Sequence, residues 1–196
     1  MLKLLLIRTG ATEYECQGRV QGTLDIPLSE DGRQQIEQVA TALRASDPEI
    51  EIDVCYAGPC RATQQSADIL AAELKIKTKT NDDLRNLDHG LWQGLLIDDI
   101  KAKQPKVYRQ WQEHPETVCP PEGESLQVVR ERLHRALAKI SKKQKSGIAA
   151  VVVAEPVTSL LKNALRDDAL GNLWKTQGPQ ETAWELIEVP AEVASP

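Results

Sequence analysis

The chain has 196 residues, 41% hydrophobic and 27% charged, with a formal charge of −5. That is enough for one compact domain over residues 1–196 with a sizeable core. The acidic balance argues against a nucleic-acid or anionic-membrane surface, and no apolar run approaches the ~20 residues that cross a bilayer. The four cysteines form no CxxC pair, which reads as a reduced thiol set and a cytoplasmic location.

The first element is the apolar run Leu4 to Ile7, too short for a signal peptide and continuous as a strand covered on both faces should be. Ser29 then offers an N-cap for a helix whose apolar positions Ile36, Val39, Ala40 and Leu43 keep helical spacing. A second strand is expected over Ile52 to Ala57, followed by a helix carrying Ala67, Leu70, Ala71 and Leu74. The stretch 91–121 holds four prolines, at 105, 115, 120 and 121. It reads as an excursion from the core with short helical pieces, a candidate lid. A long amphipathic helix is predicted from about Glu124 to Ser141 on Leu126, Val129, Leu133, Leu137 and Ile140. Ile148 to Ala154 gives a third buried strand, Pro156 suits the opening of the next helix, and Trp184 to Val189 alternates like an edge strand.

Strands alternating with helices imply an α/β fold, a three-layer sandwich with a mostly parallel central sheet flanked by helices. Ligands of such sheets bind beyond the carboxyl ends of the strands. Here those ends deliver Arg8-Thr9-Gly10, then Ala57-Gly58-Pro59 with Arg61 and Ala62 behind it, then Glu155-Pro156. Helix N-termini and an arginine facing one crevice would favour an anion, although Glu155 adds a carboxylate there. Three scattered histidines and no clustered ligand spacing argue against a metal site, and no cofactor is implied.

The stretch Arg8-Thr9-Gly10-Ala11-Thr12-Glu13, Gly18-Arg19-Val20-Gln21-Gly22, Asp25-Ile26-Pro27-Leu28-Ser29 resembles the opening of the histidine phosphatase (phosphoglycerate-mutase-like) family. Leu84 to Gly94, Gly123-Glu124-Ser125 and Val152 to Pro156 resemble its later motifs, in order. The resemblance implies that family's fold. It also implies where the chemistry would lie: a phosphate-accepting histidine at Thr9, a proton-donating glutamate at Asn86, a second histidine at Glu155 and a second phosphate-binding arginine at Ala62. Arg61 stands one residue early, about 100° round a helix. Arg8 and Gly10 are kept, so Arg8, Gly10, Arg61 and Ala62 mark the remnant phosphate pocket, with Asp88 and His89 expected at its rim.

Threonine needs a neighbouring base to become a nucleophile. Asparagine cannot serve as a general acid at neutral pH. A carboxylate at 155 would repel phosphate by about 4 kcal/mol per charge pair at 4 Å and an effective dielectric of about 20. The expectation is therefore a non-catalytic member with a binding, regulatory or structural role. A protein or a small molecule would be its partner, a homodimer among the options, with Glu155 seated on Arg8 in place of phosphate. The alternative is a weak or altered phosphoesterase or phosphomutase using the remnant pocket.

Overall fold

The computed structural model describes residues 1–46, 48–166, 170, 173 and 184–190. In chain order its elements begin with strand β1 (Leu2–Arg8), a single-turn helix α1 (Glu13–Cys16) and helix α2 (Glu30–Arg44). Strand β2 (Val54–Ala57), helix α3 (Arg61–Leu74) and the short strand β3 (Thr78–Thr80) follow. Helices α4 (Ile97–Lys103) and α5 (Pro105–Glu113) occupy the proline-rich stretch. Helix α6 (Leu126–Lys143), strand β4 (Gly147–Val153), helix α7 (Val157–Arg166) and strand β5 (Trp184–Glu188) complete the order.

The sheet runs β3-β2-β4-β1-β5, parallel except for β5, which pairs antiparallel with β1 at the edge. This is the mostly parallel α/β sandwich that the patterning predicts. Side chains alternate between two apolar layers. Leu4, Leu6, Val54, Tyr56, Ala149, Val151 and Val153 face α6, α7 and two tryptophans. Leu5, Ile7, Cys55, Ala57, Ala150 and Val152 face Ile36, Val39, Ala40 and Leu43 of α2 and Ala67 and Leu70 of α3. Such burial on both faces explains why the strand sequences are continuous apolar runs.

Two of the boundaries that shift from expectation have a side-chain cause. Strand β2 begins at Val54 rather than Ile52, because the Asp53 carboxylate accepts the Ile148 N–H at 2.8 Å at the ladder's end. Helix α6 begins at Leu126, where Ser125 Oγ accepts from the Val128 N–H. The proline-rich excursion is anchored: Trp111 of α5 is fully buried and packs edge-on against buried Trp92, with ring centroids 5.8 Å apart.

The loop after β1 passes backbone to backbone over the start of α2. A Cβ on Gly10 would strike the Gly32 carbonyl, and one on Gly32 would strike the Ala11 carbonyl. Ser29 secures the crossing, its Oγ accepting the Gly32 N–H at 3.0 Å and donating to the Ala11 carbonyl at 3.0 Å.

Candidate functional site

A pocket opens beyond the carboxyl ends of β1 and β4, with Arg8, Glu15, Arg19, Gln21, Asn86 and Glu155 on its wall. Arg8 arrives at the last position of β1 and Glu155 two residues past β4, in adjacent parallel strands whose register pairs Arg8 with Val153.

The partner of Arg8 is Glu15, with Nη2 and Oε1 3.7 Å apart and both side chains 19% exposed. Glu15 comes back over the strand end because Thr12 caps α1. The Thr12 N–H donates to Glu15 Oε2 at 2.9 Å while Thr12 Oγ1 accepts from the Glu15 N–H, a complete capping box. Burial raises the Glu15 carboxyl above its ordinary value, and the Glu155 charge adds to that. The Thr12 hydrogen bonds and Arg8 pull the other way without cancelling it.

Glu155 therefore does not take the place expected for it on Arg8. Its Oε2 accepts from the backbone N–H and hydroxyl of Ser159, at 3.3 and 2.8 Å, in the first turn of α7. That turn supplies local donors that a carboxylate at this chain position reaches without crossing the pocket.

Thr9 is buried, and its hydroxyl points to α3, 2.8 Å from Ser66 Oγ. The Ser66 hydroxyl has one proton and gives it to the Ala62 carbonyl, so the Thr9 proton must go to Ser66. No base stands behind Thr9 in that chain, and a nucleophilic role is without support. Asn86 is a brace. Its Nδ2 donates to the Gly22 carbonyl at 3.1 Å and to the Glu155 carbonyl at 3.0 Å, using both amide protons. Its Oδ1 accepts the Leu87 N–H at 2.9 Å.

The segment carrying Asn86 is held from beneath by Arg132 of α6, whose side chain is fully buried. Arg132 donates to the backbone carbonyls of Asp83, Arg85 and Asn86 and forms a two-pronged pair with Glu124 at 2.9 and 2.8 Å. These five bonds use all five guanidinium donors. Burial alone would raise Glu124, but the Arg132 bond and charge, helped by Arg85, hold its carboxyl below the usual range.

Other candidates lie elsewhere. The Arg61 side chain is 56% exposed and pairs with Asp25, its Nε 3.7 Å from Oδ2; it does not line the pocket. Ala62 is fully buried inside α3. Asp88 and His89 do not form the pocket rim. Asp88 Oδ1 accepts the Gly90 N–H at 2.8 Å, while His89 is 6% exposed and packs on Trp111 with ring centroids 5.7 Å apart. Burial lowers the His89 imidazole to about 4 despite the opposing charge of Asp88. Among the described residues no group of three or more His, Cys, Asp or Glu is placed to hold a metal ion, and no helix is long and apolar enough to cross a membrane.

Residues 4–193 match the histidine phosphatase superfamily (branch 1). The chain belongs to that superfamily. Among its relatives is Phosphoserine phosphatase 1 of Hydrogenobacter thermophilus, 33% identical over 152 residues, or 78% of this chain and 70% of that protein. Bacillus stearothermophilus YhfR shares the fold with a TM-score of 0.82 and 26% identity, over 97% of this chain and 93% of that one. A mycobacterial glucosyl-3-phosphoglycerate phosphatase, solved with VO3, gives a TM-score of 0.76 at 27% identity, over 88% of this chain and 85% of its own. These names overturn the expectation of a histidine phosphatase relative confined to binding, regulation or structure. Similar chains in the superfamily are named phosphatases, which fits the phosphoesterase alternative better.

Proposed function

We propose that this superfamily member is a cytoplasmic phosphomonoesterase that uses water directly rather than a phosphorylated side chain. The observation that carries this reading is the convergence of Arg8, Arg19 and the Gln21 amide with the buried, raised carboxyl of Glu15 on one pocket. Phosphomonoester hydrolysis proceeds through a loose transition state, where positioning and charge stabilisation contribute more than a strong nucleophile. Arg8 and Arg19 supply the charge for the equatorial oxygens. Glu15, on the same wall, is placed to take a proton from the attacking water and pass it to the departing alkoxide. Atoms balance: the P–O bond to the alcohol breaks, a P–O bond to water forms, and the products are alcohol and inorganic phosphate.

The test is phosphate release from a panel of small phosphomonoesters, with Arg8→Ala alongside and an acid quench to trap any phosphorylated protein. Turnover lowered at least ~100-fold by Arg8→Ala, about 2.7 kcal/mol of transition-state stabilisation, with no phosphoprotein, is the expected result. No release above the Arg8→Ala level refutes the reading, and a trapped phosphoprotein refutes the direct route.

A further inference from the structure

Two residues that line the pocket each carry a buried polar atom with no hydrogen-bond partner: the Gln21 amide nitrogen Nε2 and the Glu155 carboxylate oxygen Oε1. The other polar atom of each group is engaged. Gln21 is 7% exposed, and its Oε1 accepts from Thr12 Oγ1 at 2.5 Å. Glu155 spends Oε2 on Ser159 and leaves Oε1 unused. Buried polar atoms are normally satisfied, and one left without a partner is costly. Here one atom lacks an acceptor and the other lacks a donor. A ligand that completes both brings an oxygen acceptor to Gln21 and a hydrogen-bond donor to Glu155.

Charge points the same way. Arg8 and Arg19 are balanced on the pocket wall by Glu15 and Glu155, so a simple phosphate ester would leave the Glu155 carboxylate facing its dianion. An ester with an ammonium on its alcohol part places a cation beside that carboxylate and a phosphoryl group beside the arginines. We propose that the pocket selects phosphomonoesters whose alcohol carries an ammonium group, read by Glu155 Oε1, with the phosphoryl group held by Arg8, Arg19 and Gln21. The inference rests on the phosphoesterase reading for the position of the phosphoryl group, while the ammonium preference is a property of Glu155.

The experiment compares 2-aminoethyl phosphate with ethyl phosphate, by calorimetric binding and by phosphate release, in wild type, Glu155→Gln and Glu155→Asp. Circular dichroism and thermal unfolding of each variant report its fold. The wild type is expected to bind the amino ester at least ~10-fold more tightly, a gap of about 1.4 kcal/mol. Glu155→Gln should close that gap, largely by binding ethyl phosphate better, while Glu155→Asp retains part of it. Equal affinity of wild type for both esters, or a preference that survives in folded Glu155→Gln, overturns the inference. Release of phosphate from both esters at equal efficiency does so too, and leaves the phosphatase reading standing. A binding preference without release of phosphate from either ester supports the ammonium site and removes the phosphatase reading. Absence of binding by both esters removes both.

Discussion

Replacing Arg132 by methionine should be among the most damaging single changes in this chain, although the residue never touches the pocket. Arg132 is fully buried and Glu124 is only 8% exposed at its side chain, so the change strands a carboxylate that cannot reach water freely. It also removes the donor from three backbone carbonyls, those of Asp83, Arg85 and Asn86. Breaking a buried pair by deleting one partner costs about 3–5 kcal/mol. Arg85 stays 2.9 Å from Glu124 and recovers some of that, while the orphaned carbonyls add about 1–3 kcal/mol each before relaxation. Even after relaxation and the Arg85 contact, a net loss of at least about 4 kcal/mol remains, a large share of the ~5–15 kcal/mol that holds a domain together. Urea unfolding at pH 7 measures it as a lowered midpoint at constant slope. The double change Arg132→Met with Glu124→Leu should lose less than Arg132→Met alone, because no charge is left buried. A loss below ~1 kcal/mol for the single change, or a double variant as weak as the sum of its parts, would refute this account.

Three further outcomes are expected. The Glu124 carboxyl is held below its unfolded value, so its pairing stabilises the fold above the unfolded pKa and is lost as pH falls through the folded one. The deficit of Arg132→Met should accordingly shrink in acid, and a deficit unchanged down to the acid transition would argue against an ionic origin. His89 is lowered from 6.5 to about 4, so the unfolded chain binds its proton first as pH falls. Wild type should lose about 3 kcal/mol between pH 6.5 and 4 relative to His89→Phe; parallel curves for the two proteins would contradict the buried neutral imidazole. Asn86→Ala should cost about 1–3 kcal/mol by releasing the Gly22 and Glu155 carbonyls, and proton exchange should quicken at the loops on both sides of the pocket. Unchanged exchange there would show that the brace is dispensable.

The fold was legible because both of its signals are local. Continuous apolar runs such as Ala149 to Val153 mark strands buried twice, and the spacing of Ile36, Val39, Ala40 and Leu43 marks the face that covers them. The pocket's location was legible from the same strands, since their carboxyl ends carry Arg8 and Glu155. Its pairing was not. Arg8 meets Glu15 rather than Glu155 because a single helical turn folds back, and the readable sign was the Thr12-x-x-Glu15 capping pattern. Arg19 and Gln21 stood inside a recognisable motif, yet only the chain's path shows that they face the arginine. Arg61 fails to reach the pocket because one step round α3 turns it to Asp25. His89 leaves the rim because Trp111 and Trp92 form an apolar seat deep enough to take the ring. No pattern within residues 84–94 announces that seat, since half of it comes from α5.

Where Gly10 lies against Gly32, main chain meets main chain with no side chain between. Side chains absorb small displacements by changing rotamer, but two backbones in contact have no such freedom. The pocket floor at Arg8 and the outer helix α2 must therefore shift together or not at all. A substitution or partner that tilts the start of α2 would be felt at the arginine two residues from the crossing. Changes of similar size along the middle of α2 would be taken up by Ile36 and its neighbours before they arrived. The outer helix thus has one stiff point of access to the site, and the lever arm is the first turn after Ser29.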